Sequence, residues 1–333
     1  MTAATQPEQD PGPFPRLALE ASFEDIGALG RAAGWNLDFR QLEPGPLEAS
    51  LLVLGHKDIQ LARFRFNRAY HQLGEPPEGF VTFGLPDEDI GTLLWNGIET
   101  PAKTLINFSH EKHLDAVNPP GGSAGFVLSV APLALERSAL DLGIPRNVLN
   151  NLLSRRFSDP LVAGAPVLRE TLESLVAVAR SGGDDALAAW APIFNHDLPA
   201  LILRCLAAPA QRPRMVQPVF RARALERAVT LLASHDHMPE NVETLCKVAG
   251  ASWATLLRAF KDEYGVSPKR YMKIRRLTAV REALLQSEDV LRISDVANQW
   301  GFWHMGSFAA DYRAQFGELP SETRKRIRTA DAF

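Results

Sequence analysis

The rhythm of apolar positions changes twice along this chain of 333 residues. From about residue 22 to residue 130 the apolar residues come in short runs: Leu47–Leu54, Ile59–Phe66, Phe80–Phe83, Thr92–Trp95 and Phe126–Val130. Proline and glycine clusters separate them, at Glu43-Pro44-Gly45-Pro46, Glu75-Pro76-Pro77, Leu85-Pro86-Asp87 and Asn118-Pro119-Pro120-Gly121-Gly122. Short apolar runs bounded by turn residues predict strands. Residues 17–130 are expected to form a β-rich domain, a small barrel or a jelly roll. After Pro132 the period becomes helical. Leu133–Leu140, Arg146–Leu153, Pro166–Arg180 and Asp184–Trp190 are predicted helices, with Leu168, Leu172, Leu175 and Val176 on one face. The apolar stretch Asp197–Leu206 suits either a helical bundle or a dimer interface. Residues 131–206 thus form a helical dimerisation or connector region. The tract 207–220 carries three prolines and no period, as an interdomain linker would. Residues 1–16, rich in Pro, Gln and Glu, are expected to be disordered.

The last third of the chain, residues 221–333, contains a repeat. Leu256, Phe260, Tyr264 and Gly265 recur as Phe308, Tyr312, Phe316 and Gly317, each 52 positions later. Leu245, Cys246 and Gly250 recur as Val296, Ala297 and Gly301 at an offset of 51. Each copy is a short amphipathic helix, a glycine turn and a second helix with aromatic i, i+4 spacing, which is a helix-turn-helix. The two units span about residues 241–265 and 293–317. In the first, Asn241 and Ser252 can cap the two helices. Its second helix turns outward Ala254, Thr255, Arg258, Lys261 and Asp262. The second copy turns outward Trp303, Gly306, Ser307, Ala310 and Arg313. Trp253 lies between faces, and either core packing or base contact suits it.

A long helix joins the two units. Ser267 caps it, Pro268 takes its first position, and it runs to about Ser287, roughly 30 Å. Tyr271, Ile274, Leu277, Leu284 and Leu285 form its apolar stripe. Lys269, Arg270, Lys273, Arg275, Arg276 and Arg281 precede any acid. A rod of this length would set two probe helices about 34 Å apart, one turn of B-DNA. Its bases, Lys269, Lys273 and Arg276 among them, would then neutralise phosphates.

Net charge is only −3, but it is split: from Pro218 onward 18 Lys and Arg face 14 Asp and Glu, whereas the preceding residues hold 18 against 25. A basic unit on an acidic body limits any polyanion to the C-terminal end. Two cysteines exclude a disulfide scaffold or a cysteine-rich zinc site. No run of about 18 apolar residues is present for a membrane span. The first residues lack the pattern of a secretory signal, so a cytoplasmic protein is expected.

These residues resemble the DNA-binding domain of the AraC/XylS family of bacterial transcription regulators. The matching strings are LCKVAGASWATLLRAFKDEYGVSPKRYMKIRRL, ISDVANQWGF and FAADYRAQFGELPSETRKR. WGFWHMGSFAADYRAQFGELPSE, with RRLTAVREAL and WNLDFRQLEPGPLEASLLVLG, is similar to the branch of ethanolamine-utilisation regulators. The family resemblance implies a seven-helix, two-lobed DNA-binding domain after an effector-sensing or dimerising domain, often cupin-like. The expected chain is then of the α+β class: a cupin- or jelly-roll-like domain with a helical extension, then an all-α unit. The resemblance places base reading at Ala254, Leu257 and Arg258 and at Met305, Gly306, Ser307 and Ala310, with His304 and Arg313 beside them. Ser252, Trp253 and Lys261 complete the first unit's set. Most family members carry arginine where Ala310 stands, so the second unit is expected to read fewer bases directly.

No catalytic constellation is evident. His110 and His113 stand at i, i+3 without a further ligand at metal-binding spacing. Cys205 and Cys246 belong to helix interiors, and Trp35 and Trp95 suit a core or a pocket. The sequence therefore predicts a DNA-binding transcription regulator, an effector-responsive activator with no cofactor. Its partners are promoter DNA, a small-molecule effector, RNA polymerase as a candidate, a second copy of the chain as a candidate, and no membrane. The alternatives are a metal-dependent cupin-like enzyme with an accessory helical domain and a constitutive architectural DNA binder.

Overall fold

The structure is a computed structural model. It describes residues 15–32, 36–87, 91–100, 104–110, 114–155, 164–207, 214–215, 219–233, 239, 241–286 and 291–330. Two antiparallel sheets face each other in the N-terminal half. The first comprises β1 (Arg16–Phe23), β3 (Ala49–Gly55), β4 (Ile59–Phe66), β11 (Ser123–Val130), β6 (Val81–Pro86) and β9 (Ile106–Asn107), in that spatial order. The second runs β12 (Arg214–Met215), β8 (Ile98–Thr100), β7 (Leu93–Trp95), β10 (Leu114–Val117), β5 (Tyr70–Glu75) and β2 (Asn36–Gln41). Helix α1 (Ile26–Ala32) packs on β2. Strand β1 begins earlier than the residue-22 start the apolar runs suggest. Its alternating half-exposed pattern is that of an edge strand, which no long apolar run announces. Most of the stretch expected to be disordered lies outside the described residues.

Aromatic side chains meet between the sheets. Trp95 stacks on Phe108 with ring centroids 4.4 Å apart, and both border an apolar cavity of about 100 Å³ together with Phe39, Phe64 and Phe126. Trp35 and His113 lie outside the described residues.

Helices α2 (Pro132–Asp141), α3 (Arg146–Leu153), α4 (Gly164–Ala189) and α5 (Leu198–Ala207) share one core with the first sheet. Two separate helices were expected over 166–190, broken at Gly182-Gly183. A single helix of 26 residues runs through instead, because Leu168, Leu172, Leu175 and Leu187 all bury against α5 and the sheet. Packing of that stripe outweighs the roughly 1 kcal/mol that each interior glycine costs. Leu198, Ile202, Leu203 and Leu206 are spent within this bundle, which settles the two uses left open for 197–206 in favour of a bundle core. The expected linker 207–220 is not structureless where it is described, since Arg214 and Met215 pair with Glu99 and Ile98 as β12.

Among the described residues, the C-terminal unit holds seven helices: α6 (Val219–Ala233), α7 (Val242–Ala249), α8 (Trp253–Tyr264), α9 (Pro268–Gln286), α10 (Ile293–Gln299), α11 (Met305–Phe316) and α12 (Pro320–Ala330). The first half of α9, through Tyr271, Met272 and Ile274, packs with α6, α7 and α8. Its second half, through Leu277, Val280 and Leu284, packs with α10 and α11.

The β domain docks onto both lobes. Arg40 of β2 donates to the Tyr271 hydroxyl, which is bonded in turn to Nδ1 of His71. Nε2 of His71 donates to Asp115 at 2.8 Å. Arg40, His71 and Tyr271 are all fully buried. Burial pushes the Tyr271 phenol up, against the pull of Arg40, so it stays a neutral donor. Burial also pushes the Asp38 carboxyl up, but Arg40 and Arg275 beside it prevail and hold it below the usual carboxylate range. On the second lobe, Gln315 donates to the Gln41 carbonyl at 2.7 Å and Gln41 donates to the Gln315 carbonyl at 3.1 Å. The Gly45 amide adds a bond to the same Gln315 carbonyl at 3.1 Å.

Tyr271→Phe keeps the ring but strands Arg40 and His71. It is expected to cost about 1–3 kcal/mol, the price of buried groups left unpaired. The measurement is the urea midpoint of the full chain against that of the parent; an unchanged midpoint would remove the hydroxyl from the docking contacts.

Candidate nucleic-acid interface

The first probe helix, α8, is set by local chemistry. Asn241 accepts from the Thr244 amide at 2.9 Å and Ser252 from the Thr255 amide at 3.2 Å, so side chains cap both α7 and α8. Gly250, at φ 64°, makes the left-handed turn between them. Leu256, Phe260 and Tyr264 are buried, which fixes the rotation of α8 about its axis. Ser252, Trp253, Ala254, Arg258 and Lys261 consequently face outward, and Leu257 is half-buried at the edge. Trp253, undecided from the sequence, is 41% exposed and so lies outside the core.

The second probe helix, α11, repeats this arrangement less tightly. Its N-cap residue His304 makes no side-chain capping bond. Phe308, Tyr312 and Phe316 bury, and His304, Gly306, Ser307, Ala310 and Arg313 face outward, with Met305 half-buried. Trp303 in the preceding turn is 72% exposed, the most exposed tryptophan among the described residues. The outward face carries little hydrogen-bonding capacity beyond Ser307, His304 and Arg313.

The basic run on α9 differs from expectation. Arg275 is 0% exposed and donates to the Leu232 carbonyl at 3.0 Å, satisfying the end of α6. Burial pulls its guanidinium below the usual arginine range, and Arg40 adds to that. Arg281 is buried and bridges to Glu318 at 2.7 Å and to Asp25 at 3.3 Å. Arg270 donates to the Gln315 side chain. These three serve the protein, and the continuous cationic rod is corrected to a shorter set. Lys269 is exposed, Lys273 is half-buried and pairs with Asp311 at 2.8 Å, and Arg276 is half-buried and donates to the Pro239 carbonyl at 3.1 Å. The count of bases along a helix measures charge, not the side on which each charge ends.

What sequence reasoning missed is the docking set of Arg40, His71, Asp115, Gln41 and Gln315. Their partners on the helical unit lie 149 to 274 positions away, and nothing local marks them. Among the described residues no three His, Cys, Asp or Glu side chains gather as metal ligands. Burial pushes the Cys205 thiol up to about 12, so this cysteine packs as a small apolar group. No described helix is long and apolar enough to cross a membrane.

Comparison with known proteins bears on the same region. A family model described as a helix-turn-helix domain matches residues 245–326. The chain is 34% identical over 106 residues to the XylDLEGF operon transcriptional activator of Pseudomonas putida, covering 32% of this chain and 33% of that protein. It is 28% identical over 203 residues to the probable thc operon regulatory protein of Rhodococcus erythropolis, covering 56% of this chain and 61% of that one. The match thus spans less than two thirds of either relative. The solved structure of the AraC-like transcriptional activator CuxR is 16% identical, with a TM-score of 0.41 over 78% of this chain and 93% of that chain. Two glycine-turned helix pairs on one shared helix, most of their length within the matched span, make the C-terminal unit a helix-turn-helix DNA-binding domain of the AraC/XylS regulator family.

Proposed function

We propose that the whole chain is an effector-responsive transcription activator that lays α8 and α11 into successive major grooves of promoter DNA. One observation carries this reading: the duplicated probe helices hang on the two halves of α9, and their outward faces stay clear of the β domain that grips Tyr271 and Gln315. Arg258 is the strongest candidate for reading a base. Ser252, Trp253, Ala254, Leu257 and Lys261 flank it, and His304, Met305, Gly306, Ser307, Ala310 and Arg313 form the second, weaker reader. Lys269 holds phosphate, joined by Lys273 and Arg276 once their internal partners are exchanged.

Strand β2 supplies the link to an effector. Leu37 and Phe39 border the inter-sheet cavity, and the alternate residues Asp38 and Arg40 belong to the polar docking set. A ligand that favours one position of Phe39 would favour one position of Arg40 and hence of the DNA-binding unit. The likeness to ethanolamine-utilisation regulators concerns short strings, and no inducer follows from it. Two copies would pair through α2, whose exposed apolar side chains Leu133 and Leu140 lie one on either side of Arg137. The working compartment is the cytosol, with RNA polymerase as the further partner of an activator.

Two substitutions test the interface by fluorescence anisotropy on a footprinted promoter fragment. Arg258→Ala is expected to cost about 1–3 kcal/mol and to relax preference at one base position. Unchanged affinity and preference would take Arg258 out of the reading set. Lys269→Ala is expected to weaken all sequences alike and to lower the slope of log K against log salt by about one. An unaltered slope would mean that Lys269 meets no phosphate.

A further inference from the structure

The two helix-turn-helix units are not exact copies, and they differ in the turn. Gly250 corresponds to Gly301, and the residues that precede the probe helices, Ser252 and His304, correspond to each other. Between these points the first unit has one residue, Ala251, and the second has two, Phe302 and Trp303. Ala251 packs against the core of the first lobe. Phe302 does the same in the second lobe, with its ring centroid 5.1 Å from that of Phe308. Trp303 is therefore the inserted residue. It is 72% exposed, and among the described residues its side chain has no hydrogen bond and no ring contact. We propose that Trp303 reads thymine, its indole packing against 5-methyl groups in the major groove that receives α11.

The position is continuous with the DNA-binding face. The turn that carries Trp303 lies beside Arg276, whose Nη1 stands 3.8 Å from the place a side chain at Gly301 would take. His304, Ser307 and Arg313 share the outward side of α11 with it. Gly306 and Ala310 keep the middle of that side low.

Gly306 is a further indication, because the fold does not require glycine there. Its backbone is not left-handed. A methyl group in place of its hydrogen would meet nothing within 4 Å beyond its own helix, among the described residues. A glycine demanded neither by conformation nor by a neighbour suits the close approach of an outside surface. With small residues at its centre α11 can sink toward the base edges, and the indole at its rim then stands level with them.

The chemistry selects the base. In the major groove thymine presents one acceptor, O4, and the 5-methyl group. A hydrogen-bonding side chain sees only the acceptor, whereas an aromatic face gains by removing the methyl from water. The first unit would thus read with the guanidinium of Arg258 and the second with an apolar surface. This rests on the reading that α11 enters a major groove, and it names what is recognised there.

The test is fluorescence anisotropy of the full chain on the footprinted promoter fragment, with the thymines of each protected half-site replaced in turn by deoxyuridine. Uracil keeps the pairing and the O4 acceptor and loses only the methyl. In one half-site the affinity is expected to fall about fourfold for each contacted methyl, the equivalent of one buried carbon. Trp303→Ala is expected to bind the thymine fragment about tenfold more weakly and to make thymine and uracil equivalent in that half-site. Gly306→Leu, for which the fold has room, is expected to keep the thermal midpoint and to weaken binding about tenfold. Equal affinities for the thymine and uracil fragments would overturn the proposal. So would protected half-sites without thymine, or a uracil effect that persists in Trp303→Ala. Protection of a single half-site would remove the groove-entry reading itself, and the proposal with it.

Discussion

Helix α9 is the constraint on which the C-terminal unit depends. A single run of 19 residues provides core to one lobe with its first half and to the other with its second. Neither lobe has a complete interior without it. The relative placement of α8 and α11 is therefore set by a rigid element and not by a flexible joint. Such an arrangement suits the reading of two separated half-sites, because the spacing is fixed before DNA is met. It also explains why so many of the helix's polar residues turn inward. An element packed on nearly all sides has to satisfy its arginines internally, as Arg275 does with the end of α6 and Arg281 with Glu318 and Asp25.

The docking of the β domain follows a different logic. Beside an apolar contact through Leu42, Ala69 and Val117, it uses buried polar side chains where further apolar contact would have stabilised at least as well. A chain from Arg40 through Tyr271 and His71 to Asp115 is satisfied only when each group stands in register. Such a contact tolerates few intermediate positions, since a partly made network leaves charges and hydroxyls stranded. The docked and undocked arrangements are thereby separated sharply. A domain that reports on a ligand benefits from that separation, because small shifts of β2 become a choice between states.

The parts legible in the sequence are those whose causes are local. The helix-turn-helix pair could be found because glycine turns and i, i+4 aromatics recur at offsets of 51 and 52. The long helix was equally plain, since Ser267 accepts from the Arg270 amide at 3.2 Å and Pro268 opens it. The strands with long apolar runs, β3, β4 and β11, were visible for the same reason. Strands β1, β2 and β5 were not, because their half-buried or polar residues make sense only beside partners far along the chain. The basic run of α9 was read by sign alone. Whether Arg275 meets solvent or the end of α6 depends on how α6 packs beside α9, which no spacing rule contains.

Strand β12 has a consequence for how far the halves of the molecule can part. Arg214 and Met215 are stitched to the edge of the second sheet, and α6 begins at Val219. Four residue steps fully stretched reach at most about 14 Å. With the stitch in place the DNA-binding unit is on a short leash, free to swivel or lift but unable to wander. Only peeling two residues from β8 would lengthen the tether, which gives the molecule a coarse range of travel beyond its fine one.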